Sequence, residues 1–222
     1  MSDLFYSDKE LQESAFARIL LTGDRKVGKT TSVLTTAPGP IAVLNADGQG
    51  APMAAKRHGA KDLLILDVDS CELWLKGCKA AKEMAAAGKI KSVVVDTVTL
   101  LVNNVLSVEM GRKFNGFDIW RETLQCFLSG FNTLRQTQAH LFILGHYDLQ
   151  DGQLTLDGKL KKDVPALIHD IVHLDYNPKR DPDRAFHIGP SASGLSGGRN
   201  SDENKAIPAD VGLLLKELGI TP

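Results

Sequence analysis

The stretch Gly23-Asp24-Arg25-Lys26-Val27-Gly28-Lys29-Thr30 matches G-x-x-x-x-G-K-[ST] and continues into Thr31. Those residue types at that spacing suit a polyphosphate. Glycines bracket a turn whose successive backbone N–H groups can wrap an anion, and a helix that follows aims its positive end at the same charge. Lys29 would reach the terminal phosphates, and the Thr30 hydroxyl would ligate Mg²⁺. A metal held this way wants a carboxylate at the end of a neighbouring strand. Asp96 fits that need, because Lys91-Ser92-Val93-Val94-Val95-Asp96 is an apolar, β-branched run closed by an acid. The bland alternative for Asp96 is a strand-end residue capping a turn.

The elements that must position these groups follow from apolar patterning. Arg18–Thr22 predicts a buried strand before the loop, and Thr31–Thr36 a helix after it. Ile41–Asn45, Leu63–Leu66, Lys91–Asp96 and Ala139–Gly145 predict four more strands. Ala51–Gly59, Cys71–Ala87, Thr97–Glu109 and Ile119–Gln138 predict helices between them. Met110–Asp118 is expected to be a glycine-marked loop, and Tyr147–Asp163 a small hairpin around Asp157-Gly158. Beyond it, Asp170–Tyr176 and Arg184–Ile188 predict strands, Gly189–Asn204 a Gly/Ser-rich loop, and Ala209–Leu218 a closing helix. Strands alternating with helices argue for an α/β fold with a mostly parallel central sheet flanked by helices. Residues 1–17 are expected to be a lead-in segment, and 18–222 one domain.

Composition narrows the function classes. The formal net charge is −1 over 222 residues, so no global basic field recruits nucleic acid, and any such contact must be local. No apolar run approaches the length of a membrane span, so no membrane partner is expected. Three cysteines, Cys71, Cys78 and Cys126, form no CxxC pair; they suit a reducing, cytoplasmic setting as plain thiols. His169-Asp170-Ile171-Val172-His173 mimics the histidine spacing of a zinc helix, but it lacks the glutamate and falls where a strand is expected.

Other phosphate-loop classes fit poorly. A GTPase would want N-K-x-D for guanine, and here Asn204-Lys205 is followed by Ala206-Ile207. Partitioning-type ATPases carry Lys at the second loop position, which is Asp24 here, and no arginine-rich kinase lid is visible. The chain resembles the RecA-like P-loop ATPases, most closely the short phage-encoded recombination and single-strand annealing members. The resemblance covers most of Arg18–Leu218. It rests on Gly23–Thr31, Val43-Leu44-Asn45-Ala46-Asp47, Val93-Val94-Val95-Asp96-Thr97, Leu141–His146 and Pro208-Ala209-Asp210-Val211-Gly212-Leu213-Leu214.

The resemblance implies ATP and Mg²⁺ as ligands, ATP hydrolysis, single-stranded DNA as partner, and self-assembly into a ring or filament. A phage-encoded protein of this kind would work in the host cytoplasm. The position of the water-activating acid is Asp47, where the family more often has Glu; its carboxylate falls about 1.5 Å short of a glutamate's. His146 holds the place of the γ-phosphate sensor. Two stretches match DNA-binding loops: Arg112, Lys113, Phe114 and Phe117 in the first, and Tyr147, Lys159, Lys161 and Lys162 in the second. Basic residues interleaved with aromatics pair phosphates and stack bases without reading sequence. Both stretches are also ordinary solvated loops in composition, and the second is rich in aspartate. Arg199 sits near the position from which a neighbouring subunit's cation would reach the nucleotide, without the family's Lys-x-Arg pattern. Two alternatives stay open: a nucleotide-switched loader or adaptor, and an ATPase with a non-DNA partner.

Overall fold

Short runs of apolar and β-branched residues suit strands buried on both faces, and four of them, Arg18–Thr22, Ile41–Asn45, Ser92–Asp96 and His140–Leu144, are buried throughout and supply the middle of one sheet. The structure is a computed structural model that describes residues 16–148, 153–156, 160–190, 196–198 and 204–220. Its strands are β1 (Arg18–Thr22), β2 (Ile41–Asn45), β3 (Leu63–Asp67), β4 (Ser92–Asp96), β5 (His140–Leu144), β8 (Asp170–Tyr176), β9 (Arg184–Ile188), β10 (Gly197–Gly198) and β11 (Lys205–Pro208). A separate two-stranded ribbon, β6 (Tyr147–Asp148) with β7 (Gln153–Leu154), stands beyond β5. The main sheet runs β11-β9-β8-β1-β5-β4-β2-β3, with β10 added to β8. From β8 to β3 every pairing is parallel; β9, β10 and β11 are antiparallel additions. The α/β architecture with a mostly parallel, helix-flanked sheet is therefore present as expected.

Register decides what meets at the top of this sheet. Leu21 pairs Leu144, Leu144 pairs Asp96, and Asp96 pairs Asn45, so four strands end on one level. The glycine-bracketed loop follows Thr22, His146 lies two residues past Leu144, and Asp47 two past Asn45. Because β5 separates β1 from β4, the segment carrying His146 rises between the loop and Asp96.

Helices cover both faces. On one, α3 (Cys71–Ala86) and α6 (Phe117–Arg135) bury Trp74, Phe127 and Phe131 in a continuous stack, with ring centroids 5.9 and 5.5 Å apart. On the other, α1 (Lys29–Thr36) and the closing helix α8 (Val211–Glu217) pack Val33, Leu34, Leu214 and Leu215 against Ile19 and Leu21. Arg18 ties β1 to the end of α6. Its buried guanidinium donates to the carbonyls of Ala17, Arg135, Thr137 and Ala139 at 2.6–3.2 Å. Burial, with Arg135 adding to it, pushes the Arg18 pKa down to about 10. Arg18→Met is expected to cost about 3 kcal/mol in a urea titration, since it strips the donors from these carbonyls; Arg18→Lys should recover part of that.

Several local expectations need correction. The Met110–Asp118 loop is mostly helical. After α4 (Val98–Leu100) and a wide, π-helical stretch, Leu101–Leu106, helix α5 (Ser107–Lys113) continues to Lys113, supported by an i,i+4 pair between Glu109 and Lys113. The helix stops at Phe114, whose backbone is extended, and the next one starts after Gly116 at φ 56°. The ribbon pairs Tyr147 with Leu154 and Asp148 with Gln153; residues 149–152 and 157–159, with Asp157-Gly158, lie outside the described residues. Leu160–Ala166 is helix α7 rather than hairpin, because Leu160, Val164 and Ile168 recur at helical spacing and are buried. β10 lies within the expected Gly189–Asn204 loop and β11 in the stretch just after it, to which no element was assigned, since sheet pairing and not local pattern makes them strands. Cys71 and Cys126 form a disulfide, with Cα atoms 6.3 Å apart across the α3–α6 contact; their 55-residue separation hid the pairing. Cys78 is the free, buried thiol. The first helix starts at Lys29, not Thr31, and α2 (Gly50–His58) starts one residue early. Among the described residues, no helix is long and apolar enough to cross a membrane.

Candidate functional site

The loop between β1 and α1 adopts the backbone that its glycines permit. Gly23 has φ 149°, and a Cβ there would lie 2.5 Å from the Leu174 carbonyl oxygen of β8, so only glycine fits. Gly28 has φ 110° and directly precedes the first turn of α1. Lys29 is 5% exposed and folds back on the loop, its Nζ donating to the Gly23 and Asp24 carbonyls at 2.8 Å each. Burial pushes its pKa down to about 8 against the pull of Asp96, Asp24 and Asp47.

Thr30 reaches across to β4, where its hydroxyl donates to Asp96 Oδ1 at 3.1 Å. Asp96 is fully buried, and its Oδ2 has no hydrogen-bond partner. Burial, with Asp47 nearby, raises the Asp96 pKa to about 7. An orphaned carboxylate oxygen beside a threonine hydroxyl is a hard donor set of the kind Mg²⁺ takes. Thr30 and Asp96 therefore fit that ion, with the remaining positions left to water and phosphate.

Asp47 is held by its own turn. Its N–H is shared between the Asp96 carbonyl and Asn45 Oδ1, both 3.2 Å away, while Asn45 Nδ2 donates to the Gly48 carbonyl at 2.6 Å. The carboxylate leans on the start of α2, where a Cβ at Gly50 would sit 2.2 Å from Asp47 Oδ2. Partial burial raises its pKa, and Lys29 opposes that. His146 is half-buried; its backbone N–H donates to Thr99 Oγ1 at 3.0 Å, and its ring Nδ1 is buried without a partner. Burial, then Lys29 and Arg25, lowers its pKa to about 4, so the imidazole is neutral at pH 7.

Lys29, Thr30, Asp47 and His146 line one cavity of about 320 Å³, floored by Gly28 and Thr31. Asp96 lies beneath it, joined through Thr30. Asp24 and Arg25 are exposed in the same loop, Lys26 reaches the cavity rim, and Val27 is buried under the turn. The far wall was missed from sequence. Gly50, Met53, Ala54, Arg57 and His58 of α2 line it at i, i+3, i+4, i+7 and i+8, a helical stripe legible once Asp47 is taken as the turn before a helix. Together the cavity offers backbone amides, two lysines and an arginine to an anion, a hard donor pair to a cation, and the Asp47 carboxylate and the neutral His146 imidazole for proton handling.

The suggested DNA-contacting residues lie elsewhere and are less uniform. Arg112 stands in the last turn of α5 and lines a separate hollow of about 550 Å³ with Asp67, Asp69 and Glu109. Lys113 is paired with Glu109. Phe114 and Phe117 are 36% and 81% exposed, and Trp120, one turn further along α6, is 42% exposed and joins them as a residue the sequence reading missed. Lys161 and Lys162 stand on α7; Lys159 and Arg199 lie outside the described residues. His173 is within β8 and meets Thr22 Oγ1 through Nδ1 at 3.1 Å. Among the described residues, no three His, Cys, Asp or Glu side chains gather as a metal site.

No protein-family model matches the chain, and no curated protein matches it.

Proposed function

We propose that this chain is a RecA-like, Mg²⁺-dependent ATPase that acts with single-stranded DNA in recombination or strand annealing, as a ring or filament of identical subunits. The observation that carries the reading is the convergence of Lys29, Thr30, Asp47 and His146 on one cavity above a buried Asp96 with a free oxygen. The loop amides and Lys29 would bind the triphosphate tail, and Lys29 is available because its present partners are only backbone carbonyls. Thr30 and Asp96 would hold Mg²⁺, which when bound supplies positive charge to the transferring phosphate. Asp47 would orient the attacking water and accept its proton. His146, neutral at working pH, would donate from one ring nitrogen to a phosphate oxygen.

The exposed aromatics Phe114, Phe117 and Trp120 beside Arg112 and Lys113 support a stacking surface for single strands. The same patch suits a protein partner, which favours a nucleotide-switched adaptor as the second reading. ATP turnover with and without single-stranded DNA separates the two. Several-fold acceleration, with Trp120 fluorescence quenched on binding, is expected for the first. No DNA effect, together with ATP-dependent capture of a protein, would establish the second. Lys29→Ala serves as the control for turnover at this site.

A further inference from the structure

The phosphate loop is braced from outside by the β8–β9 pair, which no motif in the sequence marks. Three contacts make the brace. Thr22 at the loop's start is held by His173 and by the Val172 carbonyl; Gly23 is packed on the Leu174 carbonyl; and Arg184, the first residue of β9, donates from Nε to the Val27 carbonyl at 2.8 Å. Arg184 is itself fixed. Its Nη1 pairs with Asp183 at 3.2 Å, and its guanidinium carbon lies 5.0 Å from the centre of the Tyr176 ring. The Arg184 side chain also closes over Gly28, where a Cβ would meet its Nε at 3.0 Å.

A trans peptide plane sets its C=O and the following N–H in opposite directions. Tying the Val27 carbonyl outward to Arg184 therefore turns the Gly28 N–H inward, to the side where Gly28 lines the cavity. We propose that Arg184 is a positioning residue for the phosphate loop, fixing the Val27–Gly28 peptide so that the Gly28 N–H is preset for the anion. Its role as a determinant of nucleotide affinity rests on the ATPase reading above. It touches no reacting atom, so its effect falls on binding of the phosphates that ATP and ADP share.

The test is amide hydrogen exchange on the nucleotide-free protein, followed by ATP and ADP titrations, for wild type, Arg184→Ala and Arg184→Lys. In Arg184→Ala, exchange at Val27, Gly28 and Lys29 is expected to accelerate while the β4 and β5 amides hold. The Kd for both nucleotides should rise about tenfold, the size of one lost charge-assisted hydrogen bond, with kcat at saturation within about twofold. Arg184→Lys keeps a charged donor and should recover most of both effects. Unchanged loop exchange, or equal acceleration throughout the sheet, overturns the proposal. Failure of the wild type to bind either nucleotide would overturn the ATPase reading instead, and loop exchange would still decide the role of Arg184.

Discussion

Lys29→Ala is expected to bring ATP turnover to background, a fall of about a thousandfold or more, with a melting temperature close to wild type. The size follows from where the charge sits. Lys29 is almost fully buried at the start of α1, so its charge is weakly screened there. No neighbour replaces it: Lys26 stands at the rim, and Arg57 lies on the opposite helix. Stability changes little because two effects oppose. The variant leaves the Gly23 and Asp24 carbonyls without their donor, but it also removes a cation whose burial had pushed its pKa down to about 8. Phosphate release and thermal melting on the same preparation check both halves. Turnover that survives would place hydrolysis outside this cavity.

Asp96→Asn should separate activity from stability more sharply. Turnover is expected to fall by about three orders of magnitude, because the one carboxylate that joins Thr30 is lost. The fold should become more stable, and in a pH-dependent way. The folded-state pKa of Asp96 is raised from 3.8 to about 7, chiefly by burial. Its contribution to stability is thus fully present below pH 3.8, is lost as pH rises from there to about 7, and is flat above. Asparagine carries no charge across that window. The stability gained over wild type should therefore be near zero at pH 4 and reach a few kcal/mol, on the order of 2–4, by pH 8. Urea titrations of both proteins at the two pH values read this directly. A difference that shrinks with rising pH would show that Asp96 is not the strained acid its surroundings imply.

Much of the sheet was legible in advance because its strands are buried on both faces and leave no choice of period. Arg18–Thr22, Ile41–Asn45 and Asp170–Tyr176 match the expected boundaries residue for residue. Short edge elements were not legible. Lys205–Pro208 becomes a strand because Ile188 to Ala185 pair with it, and nothing in Lys-Ala-Ile-Pro announces that. Residues 110–113 are helical where Gly111 suggested a loop, because the Glu109–Lys113 pair holds the helix through it.

The amino-acid order alone determined a glycine-bracketed loop with Lys29 and Thr30, an acid closing an apolar strand at Asp96, and the alternation that yields a parallel sheet. These are local facts, set by which side chains can bend a turn, cradle an anion or fill a buried strand. Tertiary structure alone decided which strands lie side by side, and hence that β5 places His146 between loop and acid. It also decided that α2 completes the cavity, that Cys71 meets Cys126, and that Arg184 reaches the loop from 157 residues away. Such contacts arise from packing and register, and neither has a signature in the sequence near the residues that make them.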